Sequence, residues 1–166
     1  MNNFLANPSI NELPNIEINL QKIKNNVKVI NKICENAGIK PVGITKVSNG
    51  SVEIAQAMVD GGVKIIGDSR IKNLKKYTNI PAKKMLIRLP MMSEIKDLVK
   101  FCDVSLNSEI KVIRNISKEA KMINKVHEII LMIEVGDLRE GIYDRNEIME
   151  IVRETLELEG VKLVGI

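Results

Sequence analysis

The order of elements along the chain predicts an α/β fold, a (β/α)8 TIM barrel of which about six of the eight strands are present. Three observations carry this. Short apolar runs alternate with amphipathic helical patterns at a period of about twenty to thirty residues, the spacing of repeated βα units. No Gly-x-Gly-x-x-Gly turn follows the first apolar strand, so the signature of a dinucleotide-binding doubly wound sheet is missing. Polar residues stand just after the strand ends again and again, at Lys46, Asp68, Arg88, Asn107 and Arg139, and a barrel gathers those ends at one face.

Residues 1–15 read as an irregular leader rich in Asn and Pro, and residues 16–166 as barrel. Ile16–Asn19 alternates in polarity and is expected as a short strand. Asn19 is placed to cap a helix over 20–37, whose apolar residues Leu20, Ile23, Val27, Ile30 and Cys34 recur at three- and four-residue steps. Gly38 is a plausible residue to end it. Pro41–Lys46 is the first apolar strand, followed by a helix over 52–60 that Gly61-Gly62 terminates. Strand and helix then alternate: 63–67 and 71–77, 84–89 and 93–101, 103–106 and 108–124, and 128–135. Asp144 and Glu147 have the spacing of a capping box, so a helix runs from there to Leu158. Val161–Ile166 is the last strand. Six strands leave a barrel unclosed and a parallel sheet with bare edges, and the chain is therefore expected to be the first part of a longer protein.

Composition narrows the function. Hydrophobic residues make up 45% and charged residues 28%, as in globular domains, while aromatics are only 2%. An aliphatic core of this kind suits buried parallel strands covered by helices. The net charge of +4 is scattered; Lys22, Lys24, Lys28 and Lys32 form the wet face of a helix. Neither clustered basic residues nor stacking aromatics are present, so no nucleic-acid partner is expected. Cys34 and Cys102 fall at apolar positions of expected helices and read as small buried thiols of a reducing compartment. With no Cys-x-x-Cys and a single histidine, no metal site is expected, and His127 reads as a surface or edge residue. No signal peptide and no membrane-length apolar run is found, which points to the cytoplasm and to no membrane partner.

Two residues could carry chemistry. Lys46 follows an apolar strand and precedes the turn-forming Ser48-Asn49-Gly50. Among buried neighbours at a barrel mouth its ammonium would be disfavoured, and a neutral amine condenses with an aldehyde. By spacing alone it reads first as a solvated lysine at a strand end, one of many in a lysine-rich chain. Arg139 lies in the Gly-flanked turn Gly136-Asp137-Leu138-Arg139-Glu140-Gly141, where a guanidinium could bind a phenolate, carboxylate or phosphate. It could also be a surface arginine paired with Asp137 or Glu140.

Five segments in one order say more than either residue: Val42-Gly43-Ile44-Thr45-Lys46-Val47, Ile66-Gly67-Asp68-Ser69-Arg70-Ile71-Lys72-Asn73-Leu74, Met85-Leu86-Ile87-Arg88-Leu89-Pro90, Ser105-Leu106-Asn107-Ser108-Glu109, and Gly136-Asp137-Leu138-Arg139-Glu140-Gly141-Ile142. With them the chain resembles the N-terminal part of a fold-type III pyridoxal-phosphate enzyme of the alanine racemase type, and within it the ornithine racemase (alanine/ornithine racemase) branch. The resemblance implies an amino-acid racemase that uses pyridoxal 5'-phosphate and acts on a small amino acid. Lys46 matches the lysine that forms the internal aldimine and moves the α-proton through an α-carbanion. Arg139 matches the arginine that approaches the cofactor's phenolic oxygen. Asp68 and Asn107 sit on segments lining the same mouth, with no role implied.

Classical alanine racemases carry a tyrosine shortly after the lysine; here Ser48, Asn49 and Gly50 stand in that region, which points away from a strict alanine racemase. The opposite-face acid and the main phosphate loop are expected beyond Ile166, and the full-length enzyme is expected to be a homodimer. The alternatives are a small pyridoxal-phosphate homeostasis barrel, whose second strand reads Gly-Glu-Asn where this chain has Gly67-Asp68-Ser69, and an inactive fragment. A sugar-phosphate enzyme with a Schiff-base lysine conflicts with a lysine on the first strand.

Overall fold

The computed structural model describes residues 16–166; the leader expected over 1–15 lies outside them. Six helices and six strands alternate: α1 (Leu20–Asn36), β1 (Val42–Ile44), α2 (Val52–Asp60), β2 (Ile65–Asp68), α3 (Ile71–Leu74), β3 (Lys83–Leu86), α4 (Ile95–Phe101), β4 (Val104–Asn107), α5 (Ile110–Met122), β5 (His127–Leu131), α6 (Arg145–Glu157) and β6 (Val161–Gly165). All pairings are parallel and the sheet order is β1-β2-β3-β4-β5-β6, so each strand lies beside its predecessor in sequence. That is the winding of a (β/α)8 barrel with six of its eight strands, and it excludes a doubly wound sheet, whose order reverses.

Local chemistry explains the element ends. The Asn19 side chain accepts the Lys22 amide at 2.9 Å and starts α1, as its position predicts. Asp144 does the same for α6 through the Glu147 amide at 2.9 Å. Gly38, at φ +69°, follows the C-terminus of α1 and donates to Glu35.

Several expectations are corrected. Ile16–Asn19 forms no strand; without a neighbour to bond, alternating polarity alone does not make one. The inward face of α1 is Ile23, Val27, Asn31 and Cys34, not Ile30, which is 53% exposed. Val27 and Asn31 seat against Gly61 and Gly62 after α2, which turns Ile30 outward. β5 stops at Leu131 rather than Val135, because the backbone of Met132 and Glu134 turns to bond Ile142 across a loop. Cys102 follows α4 instead of lying in it and is fully buried, its thiol pushed up to about 12 mainly by burial; Cys34 is only half-buried. His127 is not a surface residue but fully buried at the start of β5.

The two faces of the sheet differ. Asp68, Leu86, Ser105 and Ile129 share one row across β2 to β5 and are all 0% exposed. Leu86 and Ile129 belong to the aliphatic core shared with the helices, beside Leu98, Ile113 and Ile116. On the opposite face Ile44 is 41% exposed, and Leu106 and Ile130 are half-buried. The core shared with the helices lies on the first face, so the second, where Met85 and Val104 are the buried pair, is the one a closed barrel encloses.

Candidate active site at the C-terminal strand ends

Alternation decides where each candidate goes. Thr45 continues β1 on the helix side: it is 1% exposed, and its amide bonds the Gly67 carbonyl at 3.0 Å. Lys46, two residues beyond Ile44, stands at the C-terminal end of the second face in a short 3-10 turn, Lys46–Ser48. Its side chain is exposed, so the buried setting expected for it is not present in this chain. Among the described residues some lysines are engaged and others, such as Lys64 and Lys72, are not. Lys76 bonds the Asn49 carbonyl, Lys84 that of Ile80, and Lys125 those of Val99 and Cys102, while Lys75 and Lys83 are ion-paired. Among the described residues, the Lys46 amine enters no hydrogen bond or ion pair.

The turn carrying Lys46 is tightly closed. The Ser48 amide and hydroxyl and the Gly50 amide all bond the Thr45 carbonyl, at 3.1, 2.9 and 3.3 Å. Asn49 and Gly50 adopt left-handed backbone, with φ of 50° and 71°. A Cβ on Gly50 would sit 2.6 Å from the Asn73 side chain, so the turn rests directly on α3.

Asp68 and Asn107 are not where a mouth-lining role needs them. Both face the helices and are buried, at 0% and 1% exposure. Asp68 is hydrogen-bonded to Thr45, Arg70 and Asn73. Tyr77 is buried close by; its hydroxyl reaches no full hydrogen bond, and its pKa is raised, first by burial and further by the Asp68 charge, against the nearby Thr45 hydroxyl. Asn107 donates to the Ser105 carbonyl and hydroxyl, both at 2.9 Å, and Ser105 Oγ lies 2.9 Å from His127 Nε2. Arg88 grips both oxygens of Glu94 and the Ser69 carbonyl, and so fastens the β2 and β3 loops together.

Arg139 lies in the loop after β5 and is 73% exposed; Glu140 is its ion-pair partner, at 3.5 Å. The loop is closed at its base, where Ile133 and Ile142 bridge and Gly141 packs so tightly that a Cβ would fall 2.2 Å from the Glu134 nitrogen. Inside it the Glu134 carboxylate accepts the amides of Gly136, Leu138 and Arg139. Lys46 and Arg139 thus both stand at the C-terminal side of the sheet, after β1 and β5, without touching. Thr45, Asn73 and Glu134 escaped the sequence reading. Asn73 falls within a quoted segment, but only the register reveals that it meets Asp68.

A family model described as the alanine racemase N-terminal domain matches residues 18–166. The chain is 38% identical over 153 residues to an ornithine racemase of Acetoanaerobium sticklandii, covering 92% of this chain and 43% of that protein. It is 36% identical over 155 residues to a lysine racemase of Thermotoga maritima, again over 92% of this chain and 43% of the relative. Among solved structures, an alanine racemase of Clostridium difficile 630 superposes with a TM-score of 0.74 at 19% identity, over 89% of this chain and 39% of that one. The fold therefore defines a barrel of the alanine racemase class. The chain belongs to the alanine racemase N-terminal domain family, and it spans less than half the length of the curated relatives it matches.

Proposed function

We propose that this chain supplies the first strands of the cofactor barrel in a pyridoxal 5'-phosphate-dependent amino-acid racemase acting on ornithine or a similar basic amino acid. The observation that carries the reading is the position of Lys46, directly after β1 at the C-terminal end of the parallel sheet. The donor chemistry suits the cofactor: a primary amine for its aldehyde and, after β5, a guanidinium for an anionic oxygen. The similarity to named ornithine and lysine racemases supports a substrate with a second amino group.

In this reading Lys46 Nζ would be the residue that holds the cofactor. When bound, pyridoxal 5'-phosphate supplies an electron sink for the substrate's α-carbon. Lys46 Nζ would then be placed to take or return a proton at the substrate's α-carbon on one face. Arg139 would sit beside the cofactor's phenolic oxygen. The same reading makes the protein a soluble cytoplasmic homodimer; among the described residues no helix is long and apolar enough to cross a membrane.

The test uses the complete gene product. Adding pyridoxal 5'-phosphate is expected to produce a visible absorbance band that Lys46→Ala abolishes, and a wild-type protein without the band ends the cofactor reading. Chiral analysis after incubation with D- and L-ornithine, lysine and alanine then identifies the substrate. Cofactor binding with no racemisation of any of them would favour a homeostasis-type barrel.

A further inference from the structure

Behind the Lys46 turn, on the helix side, Asp68 is a buried carboxylate whose partners are all neutral. Its Oδ2 accepts the Thr45 hydroxyl at 2.8 Å, and its Oδ1 accepts the Arg70 amide at 2.9 Å and the Asn73 side-chain amide at 3.1 Å. Burying a carboxylate without a cation is costly, and neutral donors only partly offset the cost. What these donors share is position. Thr45 begins the turn that carries Lys46. Asn73 packs on Gly50, which ends it. Both ends of the turn therefore rest on one carboxylate, directly through Thr45 and indirectly through Asn73.

From this we infer that Asp68 is a positioning residue for Lys46: it fixes the 45–50 turn so that the amine leaves β1 from one defined backbone position. The inference rests on Lys46 being the cofactor lysine. Condensation with the aldehyde carbon of a bound cofactor needs the amine held within a fraction of an ångström, and a lysine side chain is too flexible to provide that unless its Cα is fixed.

The experiment uses Thr45→Val, which removes one donor at nearly constant shape, and Thr45→Ser, which restores the hydroxyl, in the complete gene product. Asp68→Asn is the harsher variant; if it fails to fold, the Thr45 pair still decides. Two quantities are read at a temperature where circular dichroism shows each variant folded. One is amide hydrogen exchange of residues 45–50 without cofactor. The other is the rate at which added pyridoxal 5'-phosphate is trapped on Lys46 by borohydride, located by peptide mass. Thr45→Val is expected to speed exchange of Ser48 and Gly50 about tenfold and to slow trapping about tenfold, with Thr45→Ser returning both towards wild type. Unchanged exchange in the turn overturns the proposal. So does faster exchange with a wild-type trapping rate, since that marks the network as merely structural. A wild-type protein that is not trapped at Lys46 refutes the cofactor reading instead, and exchange alone then decides whether Asp68 holds the turn.

Discussion

The Glu134 carboxylate accepts the backbone N–H of Arg139 at 3.0 Å, with those of Leu138 and Gly136 at 2.9 and 2.5 Å. Three converging amides form a nest for one anion, and here the anion is the loop's own side chain. Positive φ at Gly136 and Leu138, 116° and 52°, is what turns the amides inward. The Leu138 amide contributes most to holding the Glu134 pKa below the ordinary carboxylate range; partial burial opposes it, and the Gly136 and Arg139 amides add to the lowering.

The first prediction follows from that shift. A carboxylate whose pKa is depressed on folding stabilises its loop above the ordinary carboxylate pKa and loses the contribution as pH falls through the depressed value. Glu134→Gln should therefore leave the loop as loose near neutrality as acid makes the wild type. Hydrogen exchange of Gly136, Leu138 and Arg139 should quicken about tenfold in the variant. Exchange rates equal to wild type would show that the Ile133–Ile142 bridge alone holds the loop.

His127 contributes to the acid limb of stability. Its pKa is pulled down to about 4, first by burial and then by the nearby Lys125 charge, while Asp103 and the Cys102 carbonyl oppose the shift. The unfolded chain takes up this proton near pH 6.5 and the folded chain only near pH 4. Full stability is thus present above about 6.5 and declines as pH falls between these values, by roughly 3 kcal/mol at most. His127→Gln, which keeps a partner for Ser105, should flatten that decline; urea unfolding at pH 4.5 and 7 measures the difference.

Gly61→Ala tests how α1 is attached. A Cβ there would lie 2.7 Å from the Val27 side chain and 2.9 Å from the Lys24 carbonyl, so α1 must move away. That shift also strains the hydrogen bond from Asn31 to the Gly61 carbonyl, 3.2 Å long. Overpacking of this kind costs about 1–3 kcal/mol. The expected result is a lower urea midpoint together with faster exchange in 20–36 than in the sheet. A wild-type midpoint would mean that α1 adjusts without loss.

The barrel is legible because most strands after the first helix are short apolar runs and the longer helices repeat their apolar residues at 3.6-residue spacing, so element type and order survive errors of a few residues at the ends. Ile16–Asn19 was misread because alternation shows what a strand could present to a sheet, while a neighbour must still be there to pair with it. His127 was misread because one polar residue at a strand start does not reveal which face it takes. The register, which sets it opposite Val161 and within reach of Ser105, does. Lys46 and Arg139 are visible in the sequence as polar residues after strand ends, within segments that follow one another in a recognisable order. Thr45 and Glu134 act through a hydroxyl and through backbone amides, and such contacts leave no spacing pattern.

Arg139→Ala separates chemistry from folding. The side chain is largely exposed and its pair with Glu140 is a 3.5 Å surface contact, worth little on its own. The part of the residue that organises the loop is its backbone amide, which alanine retains. The substitution should therefore leave the unfolding midpoint within the range of about 0.5 kcal/mol usual for surface changes. If the guanidinium meets the cofactor's phenolic oxygen, the complete gene product carrying Arg139→Ala should bind pyridoxal 5'-phosphate about tenfold or more weakly, a charge-assisted hydrogen bond being worth roughly 1.5–3 kcal/mol. Cofactor titration beside urea unfolding reads both quantities. Unchanged stability with unchanged cofactor affinity would make Arg139 a surface residue and leave Lys46 as the one described residue assigned to the cofactor.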